Sequence, residues 1–221
     1  MKDLDFEDMR RRMVEEQLAG RGISDKKILD AFGKVPRHQF VPDEYRAAAY
    51  ADYPLPIGSG QTISQPYMVA LMTECLALRG GERVLEVGTG SGYQAAILAE
   101  IAAEVYSIER FEVLAAESKK ILESLGYNNV KVKAGDGTLG WEENSPYDGI
   151  IVTAGAPGIP ESLVKQLKSG GRLVIPIGGS FGQVLTIVEK EGQLLKKSEV
   201  CGCVFVPLIG KEGWSNSRME I

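Results

Sequence analysis

Short apolar runs alternate with helical stretches between residues 83 and 178, and this alternation constrains the fold more than any other feature of the chain. The apolar runs lie at 83–88, 105–109, 130–135, 149–155 and 172–178, and the helical stretches at 91–103, 111–125 and 160–168. Strands that are each followed by a helix form a parallel sheet with helices on both faces. After the turn GGSFG (178–182) this alternation ends, which predicts an antiparallel strand within 183–200 and another near 203–209.

The first third of the chain is predicted to be helical and irregular. Apolar residues at helical spacing predict a helix over 4–20, and Ser24 is expected to cap a second helix that runs to about Phe32. Proline, glycine and small hydroxyl residues dominate 53–66, which predicts a long loop. A loop of this length inside a compact domain usually has a function. A helix from Pro66 to about Leu78 follows it.

Three glycines, Gly88, Gly90 and Gly92, lie between the first predicted strand and its helix in VLEVGTGSGYQAA (84–96). Glycines at this place allow a tight turn and a close approach of the backbone to a ligand. Glu109 ends the next strand, 21 positions after Gly88, where a carboxylate accepts hydrogen bonds from the ribose of an adenosine. The spacing differs from the G-x-G-x-x-G pattern of dinucleotide-binding proteins. With Glu86 before it, the turn resembles the E-x-G-x-G-x-G motif of class I methyltransferases, whose cofactor is S-adenosylmethionine.

Asp136 and Gly137 follow the third predicted strand in AGDGT. A carboxylate at the carboxyl end of a strand is placed to accept a hydrogen bond from an adenine amino group. A simple Asp-Gly turn is the alternative interpretation. The neighbouring glycine turn favours the cofactor role.

Several motifs together resemble the protein-L-isoaspartate O-methyltransferase family. They are KVPRHQFVP (34–42), DYPLPIG (52–58), GSGQTISQPYMVA (58–70), VLEVGTGSGYQAAILA (84–99), AGDGTLGW (134–141), YDGIIVTAGAP (147–157) and LVIPIG (173–178). The resemblance covers about residues 10 to 210, and QTISQPYMVA is more specific than any glycine turn.

The resemblance implies an α/β fold: a Rossmann-like, doubly wound methyltransferase sheet of about seven strands, mostly parallel with an antiparallel C-terminal strand, plus an N-terminal helical segment. It implies methyl transfer from S-adenosylmethionine to the free α-carboxylate of L-isoaspartyl residues in damaged proteins and peptides, which starts repair to aspartate through a succinimide. Ser64 is then the catalytic residue. The implied site residues are, for substrate, Thr62, Ile63, Ser64, Val204 and Val206, and, for cofactor, Glu86, Gly88, Gly90, Gly92, Glu109, Asp136 and Gly137.

The proposed chemistry agrees with a chain that contains one histidine, His38. An α-carboxylate has a pKa of about 3.5 and is ionised at neutral pH, so no general base is needed. The hydroxyls of Ser64 and Thr62 are suited to hold one carboxylate oxygen while the other attacks. Ser64 could instead be only a helix N-cap before Pro66, and both roles are compatible. His38 has no partner motif and is interpreted as structural.

The pattern G-x-S-x-G at 178–182 is interpreted as a hairpin turn, because a hydrolase elbow requires a following helix and QVLTIV indicates a strand. Cys75, Cys201 and Cys203 are too few for a disulfide framework and too scattered for a zinc site, so no metal is expected. The formal net charge of −5 disfavours a nucleic-acid partner. No apolar run is long enough to span a membrane, and the charged N-terminus lacks a signal-peptide core, which predicts a cytoplasmic protein.

The chain is interpreted as one methyltransferase domain, 1–221. Within it, 1–79 would form a helical and substrate-loop segment, 80–180 the cofactor-binding core, and 181–221 the C-terminal strands and tail. Two alternatives remain open. One is an S-adenosylmethionine-dependent methyltransferase that acts on a small-molecule carboxylate or another substrate, and the other is a catalytically silent protein that keeps the cofactor pocket.

Overall fold

The computed structural model describes residues 5–215. The α-helices are α1 (Phe6–Arg12), α2 (Lys26–Lys34), α3 (Pro66–Leu76), α4 (Tyr93–Ala99), α5 (Glu112–Ser124) and α6 (Glu161–Gln166). The strands are β1 (Leu55–Gly58), β2 (Gln61–Ile63), β3 (Arg83–Val87), β4 (Glu104–Glu109), β5 (Val130–Ala134), β6 (Tyr147–Val152), β7 (Leu167–Gly179), β8 (Gly182–Glu191) and β9 (Leu194–Cys203).

Seven strands form one sheet in the order β5-β4-β3-β6-β7-β8-β9. The strands from β5 to β7 are parallel to their neighbours, whereas β8 is antiparallel to both β7 and β9. The predicted fold class is confirmed. The order runs outward from β3 to β5 and then returns to β6, and the crevice at such a reversal is where open α/β sheets bind ligands.

Alternate residues of the central strands face two separate hydrophobic layers, as the two-residue period of a strand requires. Val84 and Val105 pack with the residues of α3 and α4, whereas Leu85 and Tyr106 pack on the other face with Leu163 of α6. A sheet covered on both faces explains why its strands are continuous apolar runs without polar alternation.

The N-terminal third differs from the prediction in three details. The long loop contains an antiparallel hairpin, in which Leu55 of β1 pairs with Ile63 of β2. The cap of α2 is Asp25, whose carboxylate accepts from the Lys27 amide, so the expected Ser24 cap is wrong. The first helix is α1 followed by wider turns at Met13–Leu18 and a tight turn at Ala19–Arg21; residue 4 of the predicted helix lies outside the described residues.

The C-terminal strand also lies earlier than predicted. The hairpin β8–β9 fills 182–203, and after Cys203 the chain leaves the sheet, so the strand expected near 203–209 is wrong. Isolated bridges pair Pro207 with Gly155 and Ile209 with Trp214. Residues 216–221 of the predicted tail lie outside the described residues. The division at 79 and 180 stays an interpretation. Within 5–215 no helix is long and apolar enough to cross a membrane.

Candidate active site

A cleft with about 540 Å³ of empty volume lies at the carboxyl ends of β3, β4 and β6. Its lining combines the glycine turn, the ends of neighbouring strands, the β2 strand and the segment that follows β9. The lining residues used below are Gly88, Gly90, Glu109, Gly137, Thr153, Thr62 and Val206.

Two glycines of this cleft stand where no side chain fits. Gly88 has φ +100°, and a Cβ there would overlap Thr153 Oγ1. Thr153 in turn donates its hydroxyl to the Gly88 carbonyl at 2.7 Å. A Cβ on Gly137 would lie 2.5 Å from Val87 Cγ1. The backbone therefore forms the cleft floor, as a closely approached ligand requires.

Gly92, the third glycine of the turn, packs away from the cleft. It has φ +89°, and a Cβ there would lie 3.2 Å from Ser118 Cβ of α5. It precedes α4 as the N-cap residue. The structure thus places Gly92 behind the turn, where it allows close helix packing.

Glu109 lines the cleft and is 4% exposed. One carboxylate oxygen accepts from the Gly90 amide at 2.8 Å, and the other accepts from the Phe111 amide at 3.0 Å. Each carboxylate oxygen accepts more than one hydrogen bond, so Glu109 retains capacity toward a ligand. It also joins the glycine turn to the end of β4.

Glu86 lies beneath the glycine turn rather than in the cleft lining. Its Oε2 accepts from Ser107 Oγ at 2.5 Å, and Ser107 also hydrogen-bonds Thr89 of the turn. Burial raises the pKa of Glu86 to about 8, with a smaller raising contribution from Glu109 and an opposing one from the Ser107 hydrogen bond. Its Oε1 is buried with no hydrogen-bond partner among residues 5–215. Sequence reasoning did not single out Ser107.

Asp136 is engaged by the protein itself. Its carboxylate accepts from the amide and hydroxyl of Thr138 at 2.9 and 2.7 Å, and from the Lys211 amide at 2.8 Å. It caps the short turn Gly137–Leu139 and anchors the C-terminal loop. Gly137 lines the cleft, whereas Asp136 supports it from outside, which favours the structural side of the two interpretations.

A groove adjoins the cleft on the side of the QTIS motif. Thr62, Ser64, Val204 and Val206 line it together, so the structure brings four predicted substrate residues to one place. Ile63 is buried and lines a smaller adjoining pocket beside the glycine turn. Thr62 and Thr153 line the cleft, the groove and this adjoining pocket, and they mark the point where all three meet.

Ser64 lines both the groove and the adjoining pocket, and among the described residues its hydrogen bonding is through its carbonyl, not its hydroxyl. The N-cap of α3 is Gln65, so the interpretation of Ser64 as only a helix cap is wrong. The Ser64 carbonyl accepts from Arg37 Nη2 at 2.7 Å. The backbone at Ser64 is therefore held, while its side chain is available.

Arg37, missed from the sequence, is fully buried. Besides Ser64 it donates to the Ala49 carbonyl at 2.7 Å, and its guanidinium lies 4.7 Å from the ring centroid of Tyr93. Burial lowers its pKa from the usual value. Arg37 thereby links the QTIS segment to the helix that follows the glycine turn. The charge of Arg37 in VPRHQF was visible, but its burial was not.

Tyr93 and Gln94 line the pocket between Ser64 and the glycine turn. Tyr93 Oη and Gln94 Oε1 are themselves buried and have no hydrogen-bond partner within 5–215. Buried polar atoms are nearly always hydrogen-bonded in complete structures.

His38 stands apart from these cavities. Its ring stacks on Phe6 at 4.0 Å, and Nδ1 lies 2.9 Å from Tyr50 Oη. Burial, and then Arg10 and Arg46, lower its pKa. Ser180 lies in the β7–β8 hairpin turn, and the following element is a strand, so the hydrolase pattern at 178–182 has no elbow. Among residues 5–215, the acidic, His and Cys side chains form no group of three suited to a metal ion.

Known proteins are similar to this chain in both sequence and fold. The family model for protein-L-isoaspartate(D-aspartate) O-methyltransferase matches residues 9–213. A protein-L-isoaspartate O-methyltransferase of Geobacter metallireducens is 56% identical over 97% of this chain and all of that protein. One of Syntrophotalea carbinolica is 54% identical over 96% of this chain and 98% of its own.

Solved structures agree. A protein-L-isoaspartate O-methyltransferase superposes with a TM-score of 0.85 at 34% identity, over 92% of this chain and 67% of that one. A Plasmodium falciparum protein of the same kind, solved with S-adenosyl-L-homocysteine, gives a TM-score of 0.78 at 28% identity, over 90% of this chain and 98% of that one.

These findings confirm the methyltransferase activity and the S-adenosylmethionine cofactor that the motifs predicted. The cleft geometry is consistent with them, since a backbone floor at Gly88 and Gly137 lies beside the carboxylate of Glu109. The chain belongs to the protein-L-isoaspartate(D-aspartate) O-methyltransferase family.

Proposed function

We propose that this protein transfers a methyl group from S-adenosylmethionine to the free α-carboxylate of L-isoaspartyl residues in damaged proteins and peptides. The resulting ester closes to a succinimide, which can reopen to normal aspartate. The observation that carries this proposal is the meeting of the cleft and the groove at Thr62 and Thr153, beside the free hydroxyl of Ser64. An acceptor in the groove thereby reaches a donor in the cleft.

Four residues are proposed to hold the cofactor directly, and three to support them. Glu109 would accept hydrogen bonds from the ribose hydroxyls, and Gly88, Gly90 and Gly137 provide the backbone floor. The supporting residues are Glu86, Gly92 and Asp136. Each contacts other protein groups below or outside the cleft and would stabilise the residues that hold the cofactor. The cofactor supplies an electrophilic methyl group on a sulfonium.

The residues of the groove position an acceptor that needs no activation. The α-carboxylate is already ionised at neutral pH, which explains why a site without a histidine suffices. Ser64 and Thr62 would donate to one carboxylate oxygen, replace part of its water shell, and leave the other oxygen aligned for in-line attack. Ser64 acts here as a hydrogen-bond donor, not as a covalent nucleophile.

The groove has a lining that suits recognition of backbone damage in many sequences. Its described lining residues include no charged side chain: they are Pro54, Thr62, Ser64, Gln65, Met68, Thr153, Gly202, Cys203, Val204, Phe205 and Val206. Val204 and Val206 provide an apolar wall opposite the hydroxyl groups. Such a groove would accept an extended chain and would exclude few of the side chains that flank the damaged residue. This supports a broad range of substrates. The formal charge of −5 supports proteins and peptides, rather than nucleic acids or membranes, as partners, and we place the reaction in the cytoplasm.

Two peptides that differ only in an aspartyl or isoaspartyl linkage test this proposal. The protein is incubated with S-adenosylmethionine and each peptide, and products are read by mass spectrometry. One added methyl on the isoaspartyl peptide alone is expected. Equal labelling of both peptides would reject the isoaspartyl specificity, and methylation of small carboxylic acids with neither peptide labelled would support the small-molecule alternative instead.

A further inference from the structure

One wall of the groove is held by a buried amide that the proposed reaction does not use. Gln183, near the start of β8, is 5% exposed. Its Oε1 accepts from the Phe205 amide at 2.8 Å, and its Nε2 donates to the Gly179 carbonyl at 2.6 Å. One side chain therefore joins the tip of the β7–β8 hairpin to the segment that carries Val204 and Val206.

The segment that Gln183 holds has left the sheet. β9 ends at Cys203, and the chain then crosses toward the end of β6, where the Gly155 amide donates to the Val206 carbonyl at 2.8 Å. The Leu208 amide donates back to Gly155 at 2.8 Å. A Cβ on Gly155 would lie 2.8 Å from Gln183 Cδ, so the glutamine packs directly on this crossing. Without strand pairing at 204–206, these contacts define where the wall stands.

We propose that Gln183 is a positioning residue that fixes the 204–206 wall of the groove and thereby sets the affinity for the isoaspartyl chain. This inference rests on the proposed function. It follows from the bonding: loss of the Phe205 contact leaves the wall with several arrangements, only one of which shapes the groove. When only a fraction of molecules is competent to bind, the apparent affinity falls by that fraction.

The chain contains a matched control at Gln166, the last residue of α6. Gln166 is 7% exposed, accepts from the Trp141 amide at 2.8 Å, and donates to the Leu139 carbonyl at 2.8 Å. A Cβ on Gly140 would overlap its amide, as a Cβ on Gly155 would overlap that of Gln183. The two glutamines thus perform the same structural task on different loops, and the Gln166 loop does not line the groove.

The test compares Gln183→Met with Gln166→Met in the full chain, measuring melting temperature, S-adenosylhomocysteine affinity and steady-state kinetics on an isoaspartyl peptide. Both variants are expected to lose similar stability. Gln183→Met is expected to raise the peptide KM about tenfold, with kcat and S-adenosylhomocysteine affinity within about twofold of wild type. Gln166→Met is expected to leave the peptide KM within about twofold.

An unchanged peptide KM in Gln183→Met, or an equal rise in both variants, would overturn the proposal. Gln183→Glu provides a second readout if Gln183→Met folds poorly. Its protonated carboxyl donates and accepts as glutamine does, so its KM, relative to wild type at each pH, should fall as pH is lowered from about 8 to about 6; a ratio that does not change with pH would also overturn the proposal. Wild-type failure to methylate the isoaspartyl peptide would instead reject the proposed function itself.

Discussion

The cleft and the groove are neighbours, but they are built in different ways. The cleft lies where parallel strands end, and its floor is backbone at Gly88 and Gly137, where a side chain would collide with Thr153 or Val87. The groove is walled by segments that have left regular structure, at Ser64 and at 204–206, each fastened by a buried polar side chain. The cofactor is the same molecule in every reaction, and a rigid floor is suited to bind it. The polypeptide substrate differs from one reaction to the next, and walls that are fixed at only a few points can accommodate it. Substitutions should therefore separate cofactor binding from substrate handling.

The largest effect is expected from Gly88→Ala in the cleft. The residue has φ +100°, and its new methyl group would overlap Thr153 Oγ1, so the turn must move. A loss of about 3 kcal/mol, or more than about a hundredfold in affinity for S-adenosylhomocysteine, is expected by calorimetry. Gly81→Ala is the control, because nothing lies within 4 Å of its Cβ and its φ is ordinary. Near-normal affinity in Gly88→Ala would show that the cleft floor is not rigid.

The second effect, from Ser64→Ala, is expected in peptide turnover measured as kcat/KM, because Ser64 would hold the acceptor carboxylate both before and during methyl transfer. Loss of one hydrogen bond to a carboxylate corresponds to about 2 kcal/mol, or roughly thirtyfold in kcat/KM for the peptide, with S-adenosylhomocysteine affinity unchanged. Ser180→Ala, in the hairpin turn, should behave as wild type. Unchanged turnover in Ser64→Ala would remove Ser64 from the reaction.

A third effect comes from the buried carboxyl of Glu86, which lies beneath the glycine turn of the cleft and has no counterpart in the groove lining. Burial raises the pKa of Glu86 to about 8, so the folded protein retains a proton that the unfolded chain releases near its ordinary pKa. Stability of the ligand-free protein should fall by about 1.4 kcal/mol per pH unit from this group between about pH 5 and pH 8. Glu86→Gln should lack that slope in melting temperatures measured across the range. Parallel curves for the two proteins would contradict the burial effect.

The smallest effect is expected from Val204→Ser at the groove wall. Val204 is 76% exposed, so its removal forfeits little apolar contact, and the peptide KM should rise about threefold, below about 1 kcal/mol. Leu194→Ser is the control, because Leu194 is 73% exposed at the opposite end of β9. A change in S-adenosylhomocysteine affinity in Val204→Ser would contradict the expectation that substitutions in the groove leave cofactor binding in the cleft unchanged.

The contrast between the cleft and the groove also explains which site residues could be predicted from the sequence. Gly88, Gly90 and Glu109 were recognisable because their roles follow from strand ends and spacing within one unit of the fold. Arg37 and Gln183 were not, because each holds a backbone group far along the chain, at Ser64 and Phe205. No local period marks such pairs.

The errors in element placement have related causes. The segment CVFVPLI (203–209) has the alternating apolar pattern of a strand. A segment that crosses the end of the sheet and lines the groove needs the same residues, so the pattern does not distinguish the two. The β1–β2 hairpin has the sequence pattern of a loop because its strands are short and two glycines with positive φ, Gly58 at the end of β1 and Gly60 in the turn, lie at its bend. Ser24 and Asp25 are both favourable N-cap residues, and in the structure the Lys27 amide donates its hydrogen bond to the carboxylate of Asp25.

In the proposed reaction the acceptor reaches the groove already ionised, so the protein supplies position and no base. The rate of a single turnover, with enzyme and S-adenosylmethionine in excess over the isoaspartyl peptide, tests it most directly between about pH 5.5 and pH 7.5. The α-carboxylate, with a pKa of about 3.5, stays ionised throughout this range. An acceptor that is ionised throughout should give a rate constant that stays within about twofold across the range. A rate that falls on acidification with an apparent pKa near about 6.5, the ordinary value for histidine, would contradict it.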